Sequence, residues 1–319
     1  MSEPSNASPS EPSDEPRLPE RTRGRRLTWI VPAAVVAAIA IVVTVLVVFP
    51  RDGDDDETVR IGVVDASQPY WRTYTELAKE RLGVDVELVN FSDYSQPNRA
   101  LHDGQLELNQ FQHVQYLADY NVTAHDDLQP IGSTAVYPLP LYSLKYDKPS
   151  ELPENAKVAI PNDAINQARG LLVLQAAGLL TLKDGGTAFS STADITSSTV
   201  EVVTLDASQT ARAVQNGSVA AAIVNNDFAT SAKLSRSRAI FQDDPASDIA
   251  APYVNVFAAR KADADNPTYR KLAELYHDPE VLKGVRKANS DAAVFRQVPA
   301  ADLQKLLRTV EEQARAAKK

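Results

Sequence analysis

A chain of 319 residues with 44% hydrophobic content is long enough for one or two cored domains. Its net charge of −9 argues against a nucleic-acid partner, which needs a basic face. With no cysteine, the chain has no disulfides, thiolate metal ligands, thiol catalysis or acyl-thioether anchor.

Residues 1–26 hold Pro, Ser, Glu and Arg with almost nothing apolar, the composition of a disordered tail. Leu27 to Phe49 carries no charge and spans roughly 34 Å as a helix, enough to cross the hydrocarbon core. Arg21, Arg23, Arg25 and Arg26 flank one side and RDGDDDE the other. The positive-inside rule then makes the tail cytoplasmic and everything after Arg51 extracytoplasmic. A cleaved secretory signal would have a shorter apolar core and a small-residue cleavage site, and VLVVFP offers no good Ala-x-Ala. The expectation is a single-pass anchor in the cell membrane, touching the bilayer through 27–49, with 50–57 as an acidic linker.

Thr58–Val64 (TVRIGVV) reads as a strand, and QPYWRTYTELAKERLG as a helix ending at its glycine. VDVELVNF alternates like a second strand. From Phe91 to Tyr120 the chain is rich in Asp, Gln and Asn, yet it places Tyr94, Phe111, His113 and Tyr116 close together, although aromatics make up only 7% of the chain. Core rings would fall on a clean period with aliphatic neighbours. Rings lining a pocket would sit in a loop-rich stretch among polar groups.

AKVAIPN then reads as a strand feeding a buried helix that ends at Gly178. Asn162 and Asp163 are cap residues at the start of that helix. Asn166 and Arg169, three apart, share one face of its first turns, beyond the carboxyl end of a strand, where open α/β sheets bind ligands. Arg169 beside a helix N-terminus suits an anion such as a carboxylate. The alternative is a surface Arg paired with Asp163 or Glu154. TVEVVTLD and VAAAIVNND are further strands with a helix, ASQTARAVQNG, between them. Asn225 ends one apolar strand and Asn255 interrupts another, YVNVFAARK, each as a turn former or a ligand contact. TYRKLAELYHDPEVLKGVRKA and AADLQKLLRTVEEQARAA carry the period of amphipathic helices.

This alternation of strand and helix predicts an α/β fold with mostly parallel sheet, generous for one lobe and natural for two. TAVYPLPLYS (134–143) and DDPASDIAAPYVN (243–255) are the places where the chain could cross between lobes. The expected division is 58–136 plus 251–319 as lobe 1 and 137–250 as lobe 2. No enzyme signature emerges. His102, His113, His125 and His277 lack metal-type spacing, and no G-x-S-x-G, P-loop or G-x-G-x-x-G occurs. No enzymatic activity, cofactor or metal is expected.

FSDYSQPNRAL, NQFQHVQYL, VAIPNDAINQARGLLVLQAAGLLTLKDG, AAIVNN and APYVNVFAAR resemble, in order and spacing, the NlpA-type substrate-binding lipoproteins, a family of methionine-binding proteins of ABC importers. The resemblance runs from about Arg60 to Arg260 and continues more loosely beyond. It implies a two-lobed periplasmic-binding-protein fold, type II-like, here preceded by the membrane helix, with methionine held between lobes that hinge near Tyr137–Leu141 and Ala250–Tyr253. By the same resemblance Tyr94, Phe111, His113 and Tyr116 line a slot for the thioether, where sulfur against a ring edge is worth about 0.3–1.5 kcal/mol. Arg169 with Asn166 takes the carboxylate, and Asn225 and Asn255 help hold amine and carboxylate. The implied partners are methionine or a related amino acid, an ABC permease and its ATPase subunit. The chain departs from the family in lacking the lipidated Cys and in the doubled NND after Val224. A ligand-sensing ectodomain acting through a signalling partner is the alternative.

Overall fold

A computed structural model of the chain describes residues 58–318. The expected tail (1–26), membrane helix (27–49) and linker (50–57) lie outside them. Among the described residues no helix is long and apolar enough to cross a membrane.

The first sheet is built from β1 (Val59–Val63), β2 (Val86–Asn90), β3 (Leu108–His113) and β4 (Gln129–Val136). The chain then enters a second sheet through β5 (Pro140–Tyr142), β6 (Ala156–Pro161), β9 (Val200–Leu205), β10 (Ala221–Ile223) and β11 (Ala239–Gln242). Between β6 and β9, β7 (Leu180–Leu182) and β8 (Ile195–Ser198) pair with each other. The chain returns to the first sheet with β12 (Val254–Ala259) and β13 (Val294–Phe295). The strand orders are β13-β4-β12-β3-β1-β2 and β11-β5-β10-β6-β9.

Both sheets are mixed, which corrects the expectation of mostly parallel strands. β1 pairs parallel with β2 and β3, and β6 with β9 and β10. These strands are joined through helices, as a parallel neighbour requires. β5 and β12 arrive directly from the other sheet, so no crossover helix fixes their direction, and they run antiparallel to every neighbour.

The helices are α1 (Pro69–Leu77), α2 (Pro97–His102), α3 (Val114–Ala124), α4 (Ala164–Ala176), α5 (Ala207–Gln215), α6 (Asn226–Ser231), α7 (Pro267–Leu275), α8 (Pro279–Ala288) and α9 (Ala300–Ala317). A short π turn extends α1 to Gly83, which ends it in the left-handed region at φ 70°. The stretch 268–288 is two helices rather than one, because Asp278 accepts from the Glu280 N–H and Pro279 starts a new first turn. On one face of the first sheet Trp71, Tyr74, Phe257 and Tyr276 pack with Ile61 and Val285. The other face is covered by α2, α3 and α9 through Leu101, Leu117, Leu303 and Leu307. In the second sheet side chains alternate with the pleat. Val158 and Ile160 face the α4 side and Ala159 faces the α5 side.

The polar, ring-bearing stretch expected to be loop-rich is so only in part: Tyr94 lies in the loop after β2 and Tyr116 in α3, while Phe111 and His113 end β3, a strand in which all six residues are buried. Its polar residues are paired. The Asn98 Nδ2 donates to Gln112 Oε1 at 2.8 Å, Asn109 Nδ2 to Asn98 Oδ1 at 2.9 Å, and Gln112 Nε2 to Asn109 Oδ1 at 3.0 Å. A satisfied amide network of this kind can be buried at little cost, whereas a half-satisfied one could not. It fixes β3 and so aims Phe111 and His113 out of the strand's carboxyl end.

Candidate ligand-binding site

Where β3, β6 and β10 end, the two sheets face each other across a cavity with an empty volume of about 430 Å³. Its lining includes all eight residues picked out from the sequence: Tyr94, Phe111, His113, Tyr116, Asn166, Arg169, Asn225 and Asn255. It also includes Gln112, Tyr137, Pro138, Leu139, Asn226 and Asp227.

The ring side is built from the loop after β2, the end of β3 and the first turn of α3. Tyr94, Phe111 and Tyr116 lie 5.8–6.1 Å apart between ring centroids, mostly tilted or edge-on, and Phe228 packs 4.8 Å from Tyr94. The Tyr116 hydroxyl donates to the Tyr94 carbonyl at 3.1 Å, which holds the loop against the helix. His113 caps α3: its Nδ1 accepts from the Tyr116 N–H at 3.1 Å, so the proton of the neutral ring sits on Nε2. Burial, then the nearby Arg169 charge, pushes His113 down to about 3, and a hydrogen bond to Asn166 opposes this only partly.

In the unfolded chain His113 takes a proton below about pH 6.5, while in the fold it stays neutral to about 3. Its contribution is therefore lost as pH falls through that window, at no more than about 1.4 kcal/mol per pH unit. In urea unfolding at pH 7 and pH 5, His113→Gln is expected to lose less stability on acidification than the wild type. Equal losses would remove this role.

The polar side is organised by α4. Asp163 caps the helix by accepting from the Asn166 N–H at 2.9 Å and from its Nδ2 at 3.0 Å. Asp163 is thus occupied, and Arg169 pairs with Asp243 rather than with Asp163 or Glu154, the two partners that the sequence offered as alternatives. Arg169 is only 5% exposed. Its Nε donates to Asp243 Oδ2 at 2.8 Å, its Nη2 to the Tyr137 carbonyl at 2.8 Å, and the guanidinium lies 4.2 Å over the Tyr253 ring. Asp243 also accepts from the Leu139 N–H at 2.7 Å, so both crossing segments are tied to this one arginine. Asn225 donates to Asn166 Oδ1 at 2.8 Å, while its own Oδ1 is buried and bonds no described residue. The Asn255 amide makes only a long bond, 3.5 Å, to the Tyr253 carbonyl.

Asp227, Asp243 and Tyr137 escaped the sequence reading. Asp227 Oδ2 accepts from the Tyr94 hydroxyl at 2.9 Å. Burial, then the charge of Asp65, pushes its carboxyl up to about 7. Among the described residues no cluster of His, Asp and Glu could hold a metal ion. A ring-walled cavity with a guanidinium at one point and an unpartnered amide oxygen at another suits a small zwitterion with an apolar tail.

The sequence pattern of the NlpA lipoprotein family matches residues 59–298. The chain belongs to that family. It is 35% identical over 248 residues to the D-methionine-binding lipoprotein MetQ of Salmonella typhi, covering 76% of this chain and 90% of that one. Among solved structures it resembles an ABC transporter periplasmic substrate-binding protein from Coxiella burnetii at 36% identity and TM-score 0.69, covering 75% and 100% of the two chains. It also resembles a Burkholderia cenocepacia nutrient binding protein bound to methionine, at 33% identity and TM-score 0.69, covering 74% and 99%. The α/β fold with two sheets facing a cavity is the two-lobed periplasmic-binding-protein fold of these family members.

Proposed function

We propose that the chain is the extracytoplasmic substrate-binding component of an ABC importer, not an enzyme, and that it takes methionine or a close analogue between its lobes. The observation that carries this reading is a buried guanidinium and an unmet amide oxygen set beside a ring wall in one cavity: Arg169 and Asn225 Oδ1 with Tyr94, Phe111 and Tyr116. In this reading Arg169 takes the ligand carboxylate, assisted by Asn166 and Asn255. Asn225 accepts from the ammonium group, and the rings with His113 enclose the thioether. Family relatives named or described for methionine binding support it. They favour transport over sensing.

The lobes are taken as 58–136 with 251–319, and 137–250, hinged where the chain crosses between sheets. Arg169 binds Tyr137 O on one crossing and Asp243 on the other, so ligand contact and hinge geometry share one side chain. Closure would commit the ligand and offer the closed form to a permease, whose ATPase subunit supplies the energy. Since the chain has no cysteine to carry a lipid, residues 27–49 are proposed as its membrane anchor.

A thermal-shift panel of the common amino acids on the full chain tests the ligand class. Ligand at 100 times its dissociation constant stabilises the folded state by about 2.7 kcal/mol, so methionine should raise Tm by several degrees while charged amino acids do not. Phe111→Ala should lower the unliganded Tm, since the ring is buried against Tyr94 and Tyr116, and should also shrink the methionine shift measured from that lower Tm. A panel in which methionine gives no shift and another amino acid does would replace the ligand.

A further inference from the structure

Asp227 is a carboxylate on the cavity wall for which the fold supplies no cation. Among the described residues no Lys or Arg forms an ion pair with it; its hydrogen bonds come from neutral groups, the Tyr94 hydroxyl at 2.9 Å from Oδ2 and the Asn226 side chain. Two residues earlier on the same turn, the Asn225 Oδ1 is buried without a partner. An amide oxygen without a donor and a carboxylate without a counter-charge thus face the cavity, while Arg169 lines the same cavity as its cationic group. Burying a charge without a counter-charge is costly, and a site that maintains one is arranged for an incoming group. A ligand with a carboxylate for Arg169 and an ammonium for Asn225 and Asp227 neutralises every one of these groups together.

We propose that Asp227 anchors the α-ammonium group of the ligand and makes the pocket select amino acids against their deaminated counterparts. This deepens the amino-acid-binding reading and rests on it. The empty pocket should hold Asp227 partly protonated near neutrality, since burial and Asp65 push it up to about 7, and an ammonium would favour the ionised form. The other titratable groups around it are Tyr94, Asp65, Tyr137, Tyr276, Arg169 and His113. The tyrosines are raised further by burial and His113 is held down to about 3, while Asp65 is engaged by the Tyr70 hydroxyl and the Trp71 indole N–H.

Calorimetry on the full chain with L-methionine and with its deaminated analogue 4-(methylthio)butanoate, at pH 5.5 to 8, separates the outcomes. The wild type should prefer methionine by about 100-fold, and its methionine affinity should fall by up to about tenfold per pH unit below pH 7. Asp227→Asn should lose about 10- to 100-fold for methionine, keep its affinity for the analogue, and flatten the pH profile. Equal losses for both ligands, or an unchanged methionine affinity and pH profile, would overturn the assignment to Asp227 while leaving methionine binding standing. A wild type that binds neither compound would overturn the amino-acid reading and this assignment with it.

Discussion

Arg169→Ala is expected to weaken methionine binding by about 10- to 150-fold, the loss of a charge-assisted hydrogen bond worth roughly 1.5–3 kcal/mol. The side chain is 5% exposed and already oriented by Asp243, Tyr137 O and the Tyr253 face, so it spends little entropy on its ligand. Arg169→Lys should recover only part of the loss. The three N–H donors of an ammonium sit on one compact nitrogen and cannot span the separate positions from which the planar guanidinium meets Asp243, Tyr137 O and a ligand carboxylate. Titration of both variants with methionine checks the order. An Arg169→Ala variant within threefold of the wild type would take the arginine out of the site.

Trp71→Ala should destabilise the fold by about 3–5 kcal/mol, the cost of truncating a fully buried aromatic. Trp71 is 0% exposed, with ring centroids 5.4 Å from Tyr70, 5.3 Å from Tyr74 and 6.1 Å from Tyr276. Its indole N–H also donates to the buried Asp65 at 2.7 Å, so removing it takes a partner from a buried carboxylate. Trp71→Phe keeps much of the packing but not that donor, and should cost about 1–3 kcal/mol. Urea unfolding followed by circular dichroism measures both. A loss under 1 kcal/mol for Trp71→Ala would mean that this cluster does not carry the first lobe.

What the sequence made legible was local. Asp163 as a cap and the three-residue spacing of Asn166 and Arg169 follow from how a helix begins, and the structure places them accordingly. Glycine at the end of the first helix was legible for the same reason. Partners far along the chain were not. Asp243 lies 74 residues from Arg169 and Asp227 lies 133 residues from Tyr94, and neither acid differs by itself from a solvated one. The doubled NND was a trace of Asp227, visible only as a departure from the family pattern. β3 was left unassigned because paired amides fill positions where hydrophobic periodicity is sought. The mixed sheets were missed because alternation of strand and helix says nothing about strands that arrive from the other lobe.

The most direct measurement is calorimetric titration of L-methionine into the full chain after unfolding and refolding have removed carried ligand. Binding of one methionine per chain, saturable and lost or much weakened in Arg169→Ala, is the predicted result. No heat from a chain that circular dichroism shows to be refolded would contradict the central claim that this cavity is a methionine site.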